Sequence, residues 1–438
     1  MSKCMFSKCY PVILTKGSRT VERRIQRHVV PLTFHSTRCS KLEHRLYSAL
    51  ASKHAAGENG PLTGVKILDL SRVLAAPLCT QILADYGAEV IKVEDVGRGD
   101  DTRYWRTAGE DSHWKPGVGP ISNYFASVNR NKRSICLDLK QPQGKEAFME
   151  LVKDADVLVE NMRPGATEKL GVDYKTVSAI NPGIIYASVS GYGPTGPFAK
   201  RAGYDMIAGA EAGILHLTGE RNGPPVRPGL GLTDMCTGLF THGAIVSALY
   251  ARAATGRGQK IDASLFESQI ALLTNVALTW LNTGVEAERW GTQHPSVVPY
   301  DAFKSKDLYF VCGATNDKQF KTLCEILNLP TLPDDPRFVT NAVRVENRAE
   351  LFPLLNEAFA QKTTDEWTSA FEGSGMPYAA INNMERVFNH PQTHARDMVR
   401  EMELDAAKSG SISILGIYLL NQVKFGYTNI NRTACEVQ

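Results

Sequence analysis

The stretch Val65-Lys-Ile-Leu-Asp-Leu70, the run Pro77 to Tyr86 and the stretch Glu89-Val-Ile-Lys-Val-Glu94 predict a strand, a helix and a second strand. Short apolar runs separated by a helical stretch of this length indicate parallel strands joined by a crossover. The alternation continues with strands at 134–139, 157–160 and 184–189 and helices at 143–153 and near 167–180. The predicted fold class is therefore α/β, with a Rossmann-like parallel sheet whose ligands lie beyond the carboxyl ends of the strands.

Composition and length indicate a globular protein with more than one domain. The chain has 438 residues, of which 43% are hydrophobic and 22% charged. A chain of this length usually divides into two domains. It contains no uninterrupted apolar run long enough to cross a membrane, so no membrane span is predicted.

The formal charge of +3 is unevenly distributed along the chain. Residues 1–47 carry ten basic and two acidic residues, which leaves the remainder about five charges negative. A basic, acid-poor leader with apolar patches predicts a transit peptide and hence the mitochondrial matrix. The alternative is a basic arm that binds nucleic acid or a membrane surface. We favour the transit peptide, and expect no nucleic-acid partner, because the excess charge ends where the linker 48–60 leads into the folded pattern.

Several common site motifs are absent or lie in the wrong context. The nine cysteines include no CxxC pair and no His spacing suited to zinc, so no metal is predicted. The run Gly191-Tyr-Gly-Pro-Thr-Gly196 has dinucleotide-binding glycine spacing. Pro194 and Pro197 stand where the helix of that motif begins, so we reject it.

Asp234 stands where a Pro/Gly-rich segment, Gly223 to Thr233, gives way to the apolar run Met235 to Tyr250. The first cannot be helical and the second can, so Asp234 lies at a loop-to-helix junction. Read by itself, this pattern indicates an N-cap carboxylate.

Five further motifs occur in one order along the chain. They are Asn129-Arg-Asn-Lys-Arg-Ser134, Val159-Glu-Asn-Met-Arg-Pro-Gly165, Ser190-Gly-Tyr-Gly-Pro-Thr-Gly-Pro197, Gly203-Tyr-Asp205 and Thr255-Gly-Arg-Gly-Gln259. Together they resemble the family III CoA-transferases over residues 61–410. The resemblance implies a large CoA-binding domain at 61–265, a linker helix and smaller α/β domain at 266–375, and a return segment at 376–438. It also implies an interlocked homodimer.

The resemblance places the family's nucleophile on Asp234. An aspartate suits this chemistry because its anhydride and its thioester are both activated carbonyl compounds. Coenzyme A thioesters are then substrates, and no permanently bound cofactor is implied. Among members with a mitochondrial leader, the chain is most similar to those that pass CoA from succinyl-CoA to a dicarboxylic acid such as glutarate.

Tyr204 separates two activities of the family. In the racemase branch this position holds a histidine that removes a proton, a role that needs a group titrating near neutrality. A tyrosine, with an ordinary pKa of about 10, favours transfer over racemisation.

The same motifs imply the CoA site, with basic side chains available for the phosphates. Its predicted residues are Val73, Leu74, Leu137, Lys140, Asn161, Met162, Arg163 and Tyr204, with Arg130 and Lys132 as further phosphate contacts. The chain departs from the family pattern at Asp95, where relatives often carry arginine. Lys92 or Arg98 could supply the nucleotide contact of that arginine.

The loop Trp290-Gly-Thr-Gln-His-Pro295 corresponds to a family loop that closes over the reacting carbonyl. Its predicted substrate residues are Gly291, Gln293 and His294. The distal carboxylate of a dicarboxylic acid needs a cation, for which Arg289, Lys304 and Arg227 are unranked candidates.

The C-terminal tail departs from the family because the Pro-rich segment and closing helix of relatives are missing. The altered tail leaves open an inactive form that binds acyl-CoA without exchange. A transferase for a different carboxylic acid is a separate alternative.

Overall fold

The computed structural model describes residues 60–416. The predicted transit peptide, nearly all of the linker and the distal tail, including the run Lys424-Phe425, lie outside the described residues. Within residues 60–416 the eleven strands are β1 Lys66–Asp69, β2 Glu89–Glu94, β3 Lys132–Cys136, β4 Val157–Glu160, β5 Ile185–Ser190, β6 Gln259–Ser264, β7 Tyr300–Lys304, β8 Tyr309–Gly313, β9 Tyr378–Ala380, β10 Val399–Glu403 and β11 Ser411–Leu415.

Helices alternate with the first six strands and then fill the second half of the chain. They are α1 Ala75–Asp85, α2 Asn123–Ser127, α3 Pro142–Lys153, α4 Ala166–Leu170, α5 Tyr174–Ile180, α6 Asp205–Glu211, α7 Ile214–Leu217, α8 Leu232–Thr255, α9 Leu265–Leu272, α10 Thr274–Thr283, α11 Asp317–Ile326, α12 Asn341–Glu346, α13 Arg348–Phe359, α14 Thr364–Phe371, α15 Met384–Phe388 and α16 Pro391–Ala395. Short 3-10 turns lie at Asp101–Tyr104, Glu110–His113 and Leu332–Asp334.

The large sheet is parallel throughout and has the order β3-β2-β1-β4-β5-β6. The predicted α/β fold class is therefore confirmed. Strand order reverses between β1 and β4, and such a switch point opens a crevice at the carboxyl edge of a sheet. One apolar core covers each face, built around Val157 and Ile185 on one side and Leu158 and Tyr186 on the other.

Helix α8 packs closely on α1, the helix that follows β1. A Cβ atom added to Gly238 of α8 would lie 2.5 Å from the carbonyl oxygen of Ala75. Only a residue without a side chain permits this approach. The α8 helix also ends at Gly256, whose φ of +69° is the left-handed conformation of a C-terminal cap.

Two predicted helices are interrupted. The helix expected near 167–180 is divided into α4 and α5 by Gly171, which has a φ of +66°. The predicted linker helix begins at Leu265, directly after β6, and is divided at Leu273 and Thr274, where Thr274 has a φ of +41°. A single left-handed residue ends a helix without changing the apolar pattern around it.

A second, antiparallel sheet has the order β7-β8-β9 and packs with α11, α13 and α14 around a core rich in phenylalanine. Strand β9 belongs to this sheet, although the predicted return segment 376–438 includes it. The hairpin β10–β11 lies further along and packs against Trp114 and Phe125 of the first half of the chain.

Candidate active site

A cleft of about 780 Å³ lies at the carboxyl edge of the large sheet. It lies where the strand order reverses, since residues that follow β1 and β4 line it together. Its lining includes Leu70, Arg72–Ala75, Val93–Asp95, Arg98–Asp101, Trp105, Leu137–Lys140, Asn161–Pro164, Ala166, Leu170, Val189–Gly191, Arg201–Tyr204, Asp234 and Leu265. This arrangement follows from the parallel topology, which places all these strand ends at one edge.

The cleft brings together the predicted nucleophile, Asp234, and the eight residues predicted to form the CoA site. Those eight residues are Val73, Leu74, Leu137, Lys140, Asn161, Met162, Arg163 and Tyr204. Tyr204 is 61% exposed and directly precedes the first turn of α6. Their proximity is what the sequence predicted, while their individual roles stay predictions.

Asp234 is not the N-cap of its helix. Helix α8 begins at Leu232 after Gly231, which makes Asp234 the third helical residue. The N-cap interpretation is wrong because the helix starts three residues earlier than predicted. The backbone N–H of Asp234 instead donates to Oδ1 of Asp205 at 3.0 Å. This bond occupies one of the amides in the first turn of α8.

The carboxyl of Asp234 is partly buried beside that second carboxylate. Burial and the negative charge of Asp205 together raise the pKa of Asp234 to about 7. A substantial fraction of Asp234 is therefore protonated at neutral pH. A carboxyl whose pKa lies near neutrality can gain or lose a proton during a reaction, a property common at catalytic sites.

Aromatic side chains that the sequence did not single out lie close to these carboxyls. Burial and the charges of Asp234, Asp205 and Asp100 raise the pKa of the Tyr124 phenol. Tyr124 contacts Trp105 edge to face, with ring centroids 5.5 Å apart, and Trp105 lines the cleft. No local spacing connects these residues with Asp234, so only the fold reveals their proximity.

Beneath the cleft lies a fully buried ionic network. Lys132 donates to Asp69 at 2.9 Å and to Asn129 at 2.9 Å, and Lys92 pairs with Asp100 at 3.0 Å. The Lys92 and Lys132 ammonium groups together hold the pKa of Asp69 at about 2, against the opposing effect of burial. Burial lowers the pKa of Lys132 to about 8 despite Asp69.

These contacts overturn three predicted phosphate ligands. Lys92 and Lys132 are inaccessible and have buried partners. Arg130 donates its Nε to Asp85 at 3.0 Å and is likewise buried. Arg98 differs, because it lines the cleft with its side chain 71% exposed and remains a candidate to replace the arginine missing at Asp95.

The predicted substrate loop lies apart from this lining. Among the described residues that line the cleft, none comes from 290–295. Trp290 is held between Arg221 and Arg348, whose guanidinium carbons lie 4.2 and 4.7 Å from its ring centroid. The N–H of Gly291 donates to the carbonyl of Gly219, and the His294 ring packs near Tyr300. Gln293, the remaining predicted residue of the loop, donates its N–H to the carbonyl of Trp290, which closes a tight turn.

Two of the predicted cations donate hydrogen bonds to backbone carbonyls. Arg289 donates to the carbonyl of His216 at 3.0 Å, and Lys304 donates to the carbonyl of Asp307 at 3.1 Å. Among the described residues that line the cleft with Asp234, none is Arg289, Lys304 or the third candidate, Arg227.

Two absences concern residues 60–416 only. The structure groups no three His, Cys, Asp or Glu side chains there in a way that would hold a metal ion. Over the same span, no helix has the length and apolar character of a membrane span. The helix that follows β5 begins at Asp205, well after the glycine-rich run at 191–196, so among the described residues no helix starts at that run.

Comparisons with known proteins agree with this geometry. The model of CoA-transferase family III matches residues 62–429. An acyl-CoA transferase of Fusarium pseudograminearum is 61% identical over 376 residues, 86% of this chain and 82% of the relative. Human succinyl-CoA:glutarate CoA-transferase is 50% identical over 356 residues, 81% of this chain and 79% of the relative. A CAIB/BAIF family protein from Brucella suis has a TM-score of 0.76 at 39% identity, covering 84% of this chain and 95% of the other.

Proposed function

This chain belongs to CoA-transferase family III and is an enzyme, and from that membership we propose that it transfers CoA from succinyl-CoA to a dicarboxylic acid such as glutarate. The printed activity of the human relative, at 50% identity, supports this pair of substrates. The observation that carries the proposal is the position of Asp234, a partly buried carboxyl facing a cleft large enough for a substantial part of a CoA thioester.

The proposed reaction uses Asp234 twice. Its carboxylate attacks the thioester carbonyl, the C–S bond breaks, and CoA leaves as a thiolate while a succinyl–aspartyl anhydride forms. The thiolate then attacks the aspartyl carbonyl and releases succinate, which leaves an aspartyl-CoA thioester. The incoming carboxylate reverses the two steps and restores Asp234. No proton is consumed overall, since one carboxylate replaces another.

The protonation state of Asp234 controls whether this cycle can begin. Only the ionised carboxylate attacks, and burial together with Asp205 keeps part of the population protonated near pH 7. Removal of bulk water from the carboxylate also increases its reactivity once it ionises.

The nucleotide end of CoA is assigned to the rim of the cleft. Arg72, Arg98, Lys140 and Arg163 all line it, and guanidinium groups bind phosphates with two parallel hydrogen bonds. Gly291, Gln293 and His294 are proposed to meet the acyl group only when their loop moves toward Asp234, since they do not line the cleft as described.

A homodimer is proposed as the working unit. Large apolar side chains stay exposed on two helices, with Leu239, Phe240 and Tyr250 on α8 and Trp280 and Leu281 on α10. Patches of this kind mark protein interaction surfaces. The basic leader at residues 1–47 supports a mitochondrial matrix location.

Intact-protein mass spectrometry after mixing with succinyl-CoA tests the mechanism. We expect a CoA-sized adduct on the native chain and a hydroxamate at Asp234 after hydroxylamine trapping. Asp234→Asn abolishes both, whereas Asp154→Asn, at a carboxylate 80% exposed, preserves both.

A native, folded protein that binds CoA and forms no adduct supports the inactive acyl-CoA-binding alternative. Adduct formation without transfer to glutarate supports a transferase for a different acid, which a panel of mono- and dicarboxylic acids would identify.

A further inference from the structure

The loop between β1 and α1 contains a backbone conformation that valine rarely adopts. Val73 has a φ of +73°. In this left-handed region a β-branched side chain crowds its own backbone, so the conformation is a genuine outlier. Such residues persist only where their surroundings hold them, and they cluster at ligand sites. Val73 lines the cleft, so the cause of its conformation is relevant to binding.

Asp100 holds the strained residue. The N–H of Val73 lies 3.3 Å from both carboxylate oxygens of Asp100. Asp100 is fixed in turn by the backbone N–H of Thr102 at 3.0 Å and the Thr102 hydroxyl at 2.7 Å. The side chain of Asp100 is 0% exposed, so water does not compete for these bonds.

Lys92 holds the other side of the same loop. Its ammonium group donates to the carbonyl of Ser71 at 2.7 Å and pairs with Asp100 at 3.0 Å. From the opposite side, Asn161 accepts the N–H of Arg72 at 2.8 Å and donates to the carbonyl of Arg72 at 2.7 Å. Four consecutive backbone polar groups are therefore held by side chains from outside the loop.

The ion pair between Lys92 and Asp100 also makes hydrogen bonds to the backbone of the loop. Replacing a buried ion pair with apolar residues of similar size is often neutral or stabilising, because desolvation offsets much of the attraction. What an apolar pair cannot do is accept the N–H of Val73 and donate to the carbonyl of Ser71. The retained charges therefore determine the shape of the loop.

We infer that Lys92 and Asp100 form a clamp that positions the loop Ser71–Leu74 for CoA thioester binding. This inference rests on the proposed use of the cleft by CoA. Asp100 borders the cleft but its side chain is fully buried, as is that of Lys92, so both act through the loop and are positioning residues. If the clamp is lost, only a fraction of molecules has the binding-competent loop, and the apparent dissociation constant rises by the inverse of that fraction.

A double-mutant cycle between Asp100 and Val73 tests the clamp in the full chain. Asp100→Ala removes the acceptor, and we expect the KM for succinyl-CoA and the Kd for CoA to rise about tenfold, with kcat changed less than about twofold. Asp100→Asn keeps an acceptor oxygen, so we expect a rise of about threefold. Glycine adopts a positive φ without strain, so in a Val73→Gly background the effect of Asp100→Ala should fall below about threefold.

Two further measurements keep the test decisive. Hydrogen exchange in peptides spanning 71–74 should accelerate in Asp100→Ala. If Asp100→Ala is insoluble, Thr102→Val replaces it in the cycle: it keeps the ion pair, removes one bond to Asp100, and should raise KM about threefold unless Val73 is glycine.

Asp85→Asn is the matched control, because it removes the partner of a buried arginine, Arg130, without touching the loop. It should lower the thermal midpoint and leave KM unchanged.

Equal effects of Asp100→Ala in the valine and glycine backgrounds, or a loss confined to kcat, overturn the clamp while native CoA exchange still stands. A native protein that neither binds CoA nor forms the adduct overturns the proposed function and the clamp with it.

Discussion

Removing the negative charge of Asp205 should shift the pH dependence of acylation to lower pH. Asp205→Asn is the informative change because its side-chain oxygen still accepts the N–H of Asp234, a bond of 3.0 Å in the native protein. The variant therefore changes the charge beside Asp234 with little change in the shape of the site. Asp205→Ala removes the acceptor as well and separates the two effects.

The magnitude follows from the pKa of about 7 for Asp234. With that pKa, about one carboxyl in ten is ionised at pH 6. Burial is the larger cause of the raised pKa and persists in the variant, so we expect the loss of Asp205's charge to lower the pKa by about one unit. About half of the carboxyls are then ionised at pH 6, and acylation becomes about fivefold faster there. At pH 8 both proteins are mostly ionised, and their rates should agree within about twofold.

Quenched-flow mass spectrometry of the CoA adduct between pH 5 and pH 9 measures this rate directly. The native rate should rise with pH to a plateau, with a midpoint near 7. In Asp205→Asn the midpoint should move to lower pH with a similar plateau, and in Asp205→Ala the plateau should also fall. Superimposable native and Asp205→Asn profiles, or a native rate that is flat from pH 5 to 9, would refute the reasoning.

Three other substitutions test how burial, packing and charge pairing affect the stability of the fold. Because the raised pKa of Asp234 destabilises the fold increasingly as pH rises from the unfolded value to about 7, Asp234→Asn should raise stability by roughly 4 kcal/mol at pH 8 and little at pH 4, measured by thermal unfolding. Gly238→Ala should cost about 1–3 kcal/mol in urea unfolding, because its Cβ would meet the carbonyl of Ala75 at 2.5 Å. Burial would raise the pKa of Glu94, but hydrogen bonds and charge pairing with Arg103 hold it at about 2. The ionised Glu94 therefore adds about 3 kcal/mol to the free energy of unfolding above pH 4.5, and this contribution is lost as pH falls through 2. Glu94→Gln should flatten that acid dependence.

Matched substitutions control these three measurements. Asp154→Asn, at an exposed carboxylate, should leave the midpoint unchanged at both pH values. Gly243→Ala lies in the same helix as Gly238 with no atom within 4 Å, so it should stabilise by up to about 1 kcal/mol. Glu89→Gln, at an exposed pair, should keep the native acid dependence. Equal effects at a tested site and its control would contradict the structural explanation.

The inner strands of the large sheet were predictable because most of their residues are buried on both faces. β4 at 157–160 and β2 at 89–94 have the predicted bounds, since apolar runs of this kind leave little freedom of assignment. β3 lies at 132–136 and so begins two residues earlier than predicted, because polar Lys132 and Arg133 form part of this strand at the edge of the sheet.

The sequence predicted which residues line the candidate site better than it predicted their burial and their charge interactions. Residues such as Val73, Leu137 and Asn161 follow different strands, and parallel topology places them at one edge. The burial of Lys92 and Lys132 was not predictable, because lysine is usually exposed and its partners lie far away in sequence. The effect of Asp205 on Asp234 also depends on contact across 29 residues.

The ionic network beneath the cleft has a consequence for how the two parts of the site respond to ionic strength. Its acidic members Asp69 and Asp100 are balanced by Lys92 and Lys132, so the network carries no net formal charge. Mobile ions do not reach these buried groups, whereas the exposed cations of the rim are screened over about 10 Å at 0.1 M salt. Added salt should therefore weaken the hold on the phosphates of CoA and leave the shape of the loop beneath it intact.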